Sequence, residues 1–421
     1  MDASSFSFYT YFDTLINVKK DHTMKNKEFK SLFMLMINMF VIMMGIGLVI
    51  PILPYYVEAF GASSFELGLL IAVFSFMQFL LAPFWGKMSD KYGRKPLIAI
   101  GMFGFAGAEF IFAFATDLWM LFLSRMLAGS FGSAIMPAAM AYVSDRTSPE
   151  KRGHGMGMLG AAMALGIVFG PGVGGWLAEV SLALPFLFAG VAATLAGIFS
   201  LFLLPESLSK EKRAELALTA DHSNQFVQMW QAIKSPVGFL LLLVFGLSFG
   251  LANFQTIFGM YALHQFNYSP SQVGFIMVLV GVIGAVAQGG LVGRLTLRFG
   301  DERVVLGALL LSGVGYVVMM LAFDLPTVIL TTCLFFLGNS ILRPAVNTMI
   351  SKLAGDRQGM IMGLNNSFLS LGNVVGAMLA GLMFEWSMYL PYSMGALTMF
   401  IAFIATVYWL AKRKQAIKST A

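Results

Sequence analysis

Residues 86–97 read GKMSDKYGRKPL and set Lys87, Asp90, Lys91, Arg94 and Lys95 between two long apolar runs. Such a density of charge is foreign to the rest of the chain, which is 421 residues long, 58% hydrophobic and only 11% charged. The mean hydropathy is +0.79. That balance lies outside the range of soluble domains and identifies a membrane protein. The runs on either side reach roughly 20 residues, the length a helix needs to cross the hydrocarbon core. Twelve such spans are predicted, at 31–57, 65–85, 97–116, 118–143, 154–178, 184–205, 237–264, 270–293, 303–323, 325–350, 360–386 and 389–411.

The 27 Lys and Arg residues are sorted along the chain. With both termini placed in the cytoplasm, the N-terminal segment, the loops after the even-numbered spans and the C-terminal tail hold 25 of them. Arg125 and Arg343 fall inside spans. Basic residues near helix ends are retained on the cytoplasmic side, so the sequence predicts a multi-pass protein of the cell membrane with both ends inside. The net charge of +6 is the residue of this sorting and not a nucleic-acid footprint, because it is spread over alternate loops. Cys333 is the single cysteine and forms no internal disulfide. No cleaved signal peptide is expected in the first 30 residues, and Met24 is a second candidate start.

The opening stretch occurs twice. A shift of 207 lays GKMSDKYG at 86–93 on GRLTLRFG at 293–300 and pairs Asp117 with Asp324 and Pro137 with Pro344. A shift of 206, one residue being absorbed after the fourth span, pairs Gly157, Gly166, Gly170 and Gly175 with Gly363, Gly372, Gly376 and Gly381. The expected fold is therefore all-α, with twelve transmembrane helices in two pseudo-symmetric six-helix bundles. Its parts are an N-terminal extension (1–30), a first bundle (31–205), a charged linker (206–236), a second bundle (237–411) and a tail (412–421). Halves related in this way place a binding site at their interface and rock around it. No cofactor is implied, and a monomer is expected.

Several residues stand out for chemistry. Gly86 and Gly93 would allow a tight turn in the charged stretch, Asp90 would cap a helix start and receive a neighbouring base, and Arg94 belongs to the same candidate gating loop. A pure topology signal is the plainer reading of these charges. In GIVFGPGVGG (166–175), Gly166, Gly170 and Gly174 have the spacing that permits close helix contact, and Pro171 favours a kink. Arg125 inside an apolar helix costs about 2.5 to 3.5 kcal/mol even on the lenient insertion scale and needs a partner. Glu109 is the candidate, because both residues lie eight positions from the hairpin turn near Asp117. A structural ion pair and a proton-responsive one are equally open on the sequence.

Asn339, Arg343 and Asn347 recur every four residues and share one helix face, expected to look into a central cavity. Gln78, Asn253, Gln255, Asn365 and Asn366 add neutral donors and acceptors within other spans, some of which are expected to serve packing alone. The 40 Phe and 30 Met suit lipid contact, core, or a pocket for varied apolar ligands. The four histidines are scattered, and no metal or nucleophile constellation appears, which argues against an enzyme.

The charged stretch at 86–97, LSRMLAGSFG (123–132) and GIVFGPGVGG (166–175) resemble the signatures of the major facilitator superfamily, the last of them that of its antiporters. GIGLVIPILP, SFGLANFQTIF, LRPAVNTMISKLAGDRQG and GLNNSFLSLGNVVGAMLAG are similar to its Gram-positive multidrug exporters, from about residue 31 onward. The resemblance implies export of amphiphilic drugs by alternating access in exchange for protons, with small amphiphiles, protons and the bilayer as partners. A transporter of the same fold for one physiological solute, such as a sugar, lipid or metabolite, is the alternative. The resemblance also implies acids in the seventh and tenth spans, where this chain has Gln255 and Asn339. Amides do not titrate, so proton coupling is expected at Glu109 with Arg125 instead.

Overall fold

Each predicted span folds as a helix in a computed structural model, which describes residues 26–209, 211, 213, 225–355 and 358–420. Most of the expected N-terminal extension and the middle of the expected linker lie outside the described residues. The first half comprises α1 (Asn26–Ala59), α2 (Ser64–Tyr92), α3 (Arg94–Ala113), α4 (Leu118–Arg146), α5 (Pro149–Val180) and α6 (Leu184–Leu203). A short α7 (Gln225–Ile233) precedes the second half, formed by α8 (Gly238–Phe266), α9 (Pro270–Val286), α10 (Val292–Phe299), α11 (Asp301–Met319), α12 (Leu325–Ala354), α13 (Gln358–Trp386) and α14 (Leu390–Thr420). A π-helical turn, Ala287–Leu291, joins α9 to α10 into one span. Among the described residues, twelve helices are thus long and apolar enough to cross a membrane.

Local chemistry sets the helix ends. Ser63 with Glu66 and Ser269 with Gln272 form capping boxes at the starts of α2 and α9, and Asp324 with Thr327 does so at α12. The charged stretch that opens the repeat is mostly helix, not loop. α2 continues through Lys87 and Asp90 to Tyr92, so Gly86 is helical and Asp90 stands in a last turn rather than capping a start. The reversal into α3 is made at Gly93, with φ +107°, and its repeat partner Gly300, with φ +80°, does the same before α11.

Within each half the paired glycine stripes bring backbones together. A Cβ at Gly170 would sit 2.7 Å from the Met44 carbonyl oxygen and 3.0 Å from Gly47 Cα on α1, and one at Gly376 would sit 2.5 Å from the Phe249 oxygen on α8. Gly166 with α1 and Gly372 with α8 repeat the arrangement one turn away. Close approach of this kind replaces the hydrophobic drive that is missing between helices in lipid. Gly157 and Gly363 are in register in the sequence but face open space.

The halves meet along α2 with α13, α5 with α9, and α1 with α8. The contacts concentrate at the end away from the Lys- and Arg-rich segments. There a Cβ on Gly68 would lie 3.2 Å from Gly381 Cα, and one on Gly274 would lie 3.3 Å from Gly175 Cα, two contacts related by the 206-residue repeat. At the opposite, basic end the bridge is α7. Met229 and Ala232 bury one face of it, Gln225 bonds Ser367 of α13 at 2.9 Å, and Phe226 meets Phe79 of α2 with ring centroids 5.8 Å apart.

Candidate functional site

The predicted site residues fall in three places. At the basic end, Arg94 is buried at the first position of α3 and is surrounded by acceptors. Its Nη1 donates to Asp90 Oδ1 at 2.5 Å and to Ser89 Oγ at 3.0 Å, and its Nε to Asp145 Oδ2 at 3.1 Å. Glu206 accepts from the backbone N–H groups of Arg94 and Lys95 at 2.9 and 3.3 Å. A cation at a helix N-terminus is disfavoured by the helix dipole, so these carboxylates are what hold it there. Gly93 leaves room for Glu206, since a Cβ would come within 2.8 Å of its Cδ. Gly86 takes no part in the cluster. Glu206 escaped the sequence reading because it follows the sixth span with no motif of its own.

The repeat exposes an inversion at this end. Shifted by 207, Arg94 becomes Asp301 and Asp145 becomes Lys352, and these two also form an ion pair. The second half therefore keeps the link but exchanges its charges, and its acid sits favourably at the start of α11.

The second place is the pair proposed from the sequence. Arg125 Nη2 lies 3.2 Å from Glu109 Oε1, and both side chains are buried. Ser124 beside Arg125 ties α4 to α3 by donating to the Ala108 carbonyl at 2.7 Å. Around the guanidinium stand Phe112 at 4.6 Å and Phe74 and Phe186 at 6.0 Å, measured to ring centroids. Tyr56, Phe112 and Phe186 stack and edge together into a lid over the pair. Glu109 Oε2 and Arg125 Nε have no hydrogen-bond partner. Arg125, expected also to line the substrate cavity, is withdrawn into the first half in this conformation. At the repeat positions the second half has Tyr316 and Thr332, and the Tyr316 hydroxyl donates to the Gly250 carbonyl.

The third place is the polar stripe on α12. Gly338 approaches Ser312 of α11, and Ile341 lines a cavity with α11 residues, so that face belongs to α11. Phe336 packs on Phe254 of α8, and Ser340 on Gly284 of α9. Arg343 and Asn347 lie on this second face, away from α11. Arg343 is exposed and makes no ion pair or hydrogen bond among the described residues. Asn339 is buried, with its Nδ2 unpartnered. Gln78, Gln255 and Asn347 are half-buried and Asn366 is exposed, whereas Asn253 and Asn365 are buried within the second half. The two buried amides retain unpartnered atoms, which separates them from an open cavity wall in this state. The cavity of about 310 Å³ beside α10, α11 and α12 contains none of the predicted residues. No group of three or more His, Cys, Asp or Glu side chains placed to hold a metal occurs among the described residues.

Comparisons with known proteins agree with this geometry. A family model described as Major Facilitator Superfamily matches residues 35–291 and 240–421. The chain is 34% identical to Multidrug resistance protein 2 of Bacillus subtilis (strain 168) over 391 residues, 92% of this chain and 98% of that protein. It is also 34% identical to Quinolone resistance protein NorA of Staphylococcus aureus (strain COL) over 365 residues, 87% of this chain and 92% of that one. Among solved structures it matches a bacterial homolog of the human lysosomal transporter Spinster in an inward-facing, unoccupied conformation, with a TM-score of 0.71 at 15% identity, over 93% of this chain and 98% of that one. A POT family transporter in complex with 5-aminolevulinic acid matches with a TM-score of 0.75 at 13% identity, over 90% of this chain and 96% of that one. At such identities these two bear on the fold alone.

Proposed function

The chain belongs to the Major Facilitator Superfamily, and we propose that it is a multidrug efflux transporter that exports amphiphilic drugs by alternating access in exchange for protons. The likeness to two named resistance proteins along about nine-tenths of the chain is the observation that carries the export reading. The basic end faces the cytoplasm, as the sorting of Lys and Arg requires, and the protein works as a monomer in the cell membrane. On that orientation the closed seam at Gly68, Gly381, Gly175 and Gly274 is the outer gate, so the interior is reached from inside.

The proton is carried by Glu109. Among the described residues it is the one buried carboxylate in a span; every other described Asp or Glu lies within two residues of a helix end or between helices. Only Arg125 faces it as a charged group, and the remaining neighbours of that guanidinium are aromatic rings. Ionised Glu109 holds α3 to α4 through the pair. Protonated Glu109 no longer attracts Arg125, which leaves a buried guanidinium without a counter-charge and favours a state in which water or another anion reaches it. The Tyr56, Phe112 and Phe186 lid keeps outside protons from the pair while the outer gate is shut. Because Tyr316 occupies the equivalent place in the second half, the coupling site is single.

Reconstituted vesicles with an imposed pH gradient test this reading. Uptake of several unrelated dyes and quinolones driven by the gradient supports it. Uptake of one sugar, lipid or metabolite alone would assign the chain to a dedicated transporter of the same fold.

A further inference from the structure

Charge is scarce in the interior of this protein. Arg125 is neutralised by Glu109 at 3.2 Å. Asp90 and Asp145 are engaged by Arg94, Asp301 by Lys352, and Glu58 sits 3.8 Å from His264 at the opposite end. What remains at membrane depth is Arg343. It stands eleven residues from the end of α12 at Ala354, about 16 Å along the helix axis, on the face that carries Phe336 and Ser340 and is turned away from α11. Its neighbours at four-residue spacing, Asn339 and Asn347, are neutral amides, and no carboxylate lies on that face. An unpaired guanidinium persists in a span only beside water or a counter-charge. The counter-charge is not supplied by the described residues.

We propose that Arg343 is the specificity-determining residue of the export site, and that the exported molecules are amphiphiles bearing a carboxylate head, anionic or zwitterionic overall; this rests on the reading of the chain as an exporter. The guanidinium offers a rigid fork of N–H donors that matches a carboxylate in two parallel hydrogen bonds. Two turns nearer the outer gate on the same face, the half-exposed Phe336 gives the apolar body of such a molecule a surface to lie on. A permanent cation finds no acid there to balance it and meets the field of Arg343. The energetics agree, since an anion leaving a cell that is negative inside moves down the membrane potential, as does the entering proton.

The test uses three probes of one chain length: a dansyl-labelled undecanoate, its methyl ester, and a trimethylammonium analogue. Fluorescence titration of the purified full-length protein is expected to give a dissociation constant at least about tenfold lower for the carboxylate than for the ester, equivalent to about 1.4 kcal/mol, and the weakest binding for the cation. Arg343→Gln is expected to weaken the carboxylate to the level of the ester, with an unfolding temperature in detergent equal to that of the unmodified protein showing that the fold is intact. Arg343→Lys keeps part of the preference. Equal or tighter binding of ester or cation, no saturable binding of the carboxylate, or a preference that survives Arg343→Gln would overturn the proposal. Transport in vesicles separates it from the underlying reading. Charge-selective binding with no accumulation of any probe rejects export and leaves Arg343 as the selector, whereas equal accumulation of all three keeps export and rejects the selector.

Discussion

Glu385 on α13 accepts a hydrogen bond from the backbone N–H of Phe65 on α2 at 3.1 Å, across the seam between the halves. Shifted by 206 residues, the same bond recurs in reverse: Glu179 on α5 accepts from the N–H of Ser271 on α9 at 3.3 Å. Each half thus lends a carboxylate to the helix N-terminus of the other, where the free N–H groups and the dipole favour negative charge. These bonds exist only while this end is closed. Each is exposed and contributes about 0.3–1 kcal/mol, so the double substitution Glu179→Gln and Glu385→Gln should move the equilibrium toward the open state by up to roughly thirtyfold. Spin labels at the exposed Phe114 and Phe323 positions, in a Cys333→Ala background, would report it as growth of a longer distance. An unchanged distance distribution would mean that the glycine contacts alone keep this end shut.

The glycine stripes separate into needed and unneeded positions. Gly170→Ala puts a methyl group 2.7 Å from the Met44 carbonyl oxygen and 3.0 Å from Gly47 Cα, both backbone atoms with no freedom to turn aside. It should cost about 1 to 3 kcal/mol through overpacking. Gly157→Ala meets nothing within 4 Å and should be neutral or gain up to about 1 kcal/mol from reduced chain entropy. Thermal unfolding of the two purified variants in one detergent checks the contrast. A loss of stability at Gly157 equal to that at Gly170 would rule out the packing account.

The inverted ion pairs at the basic end predict unequal consequences for matched substitutions. Arg94→Ala leaves Asp90 and Asp145 without their shared cation, while Glu206 keeps its backbone N–H donors and Arg213, and should be among the most damaging single changes, about 3 to 5 kcal/mol. Lys352→Ala removes a mostly exposed partner of Asp301 and should cost no more than about 1 kcal/mol. Yield of folded protein and thermal stability would register the difference, and equal effects would place the two links in the same role.

Much of this architecture is legible in the sequence because the membrane imposes long apolar runs, sorted Lys and Arg, and a repeat that survives in glycines. The same repeat pairs Glu179 with Glu385 and Phe65 with Ser271, so the latches were present in the register but carry no conspicuous residue pattern. Glu109 and Arg125 could be joined by depth alone, since a hairpin brings equal distances from its turn together. What the sequence could not supply is rotation about the helix axis. Asn253 and Gln255 are two residues apart on α8, yet one is buried within the second half and the other is partly open. The charged stretch misled for a related reason, because charges read as loop when they lie on helix turns that project beyond the apolar layer, as Lys87 to Tyr92 do.

The proposed coupling site allows the most direct test of energy transduction. Glu109→Gln removes the only titratable group of the pair but keeps an amide oxygen where Oε1 now accepts from Arg125 Nη2 at 3.2 Å, so the link between α3 and α4 loses charge rather than shape. If the proton that drives export binds at Glu109, a vesicle with an acidic side facing the outer gate should concentrate substrate with the unmodified protein and fail to do so with Glu109→Gln. Exchange of labelled for unlabelled substrate across the same membrane requires no net proton movement and should persist, which distinguishes loss of coupling from loss of fold. The second half offers Tyr316 and Thr332 at the equivalent positions, both uncharged, so the ratio of protons to substrate should be close to one and should not rise when either is replaced. Gradient-driven accumulation that survives Glu109→Gln, or a ratio near two, would move the coupling away from this pair.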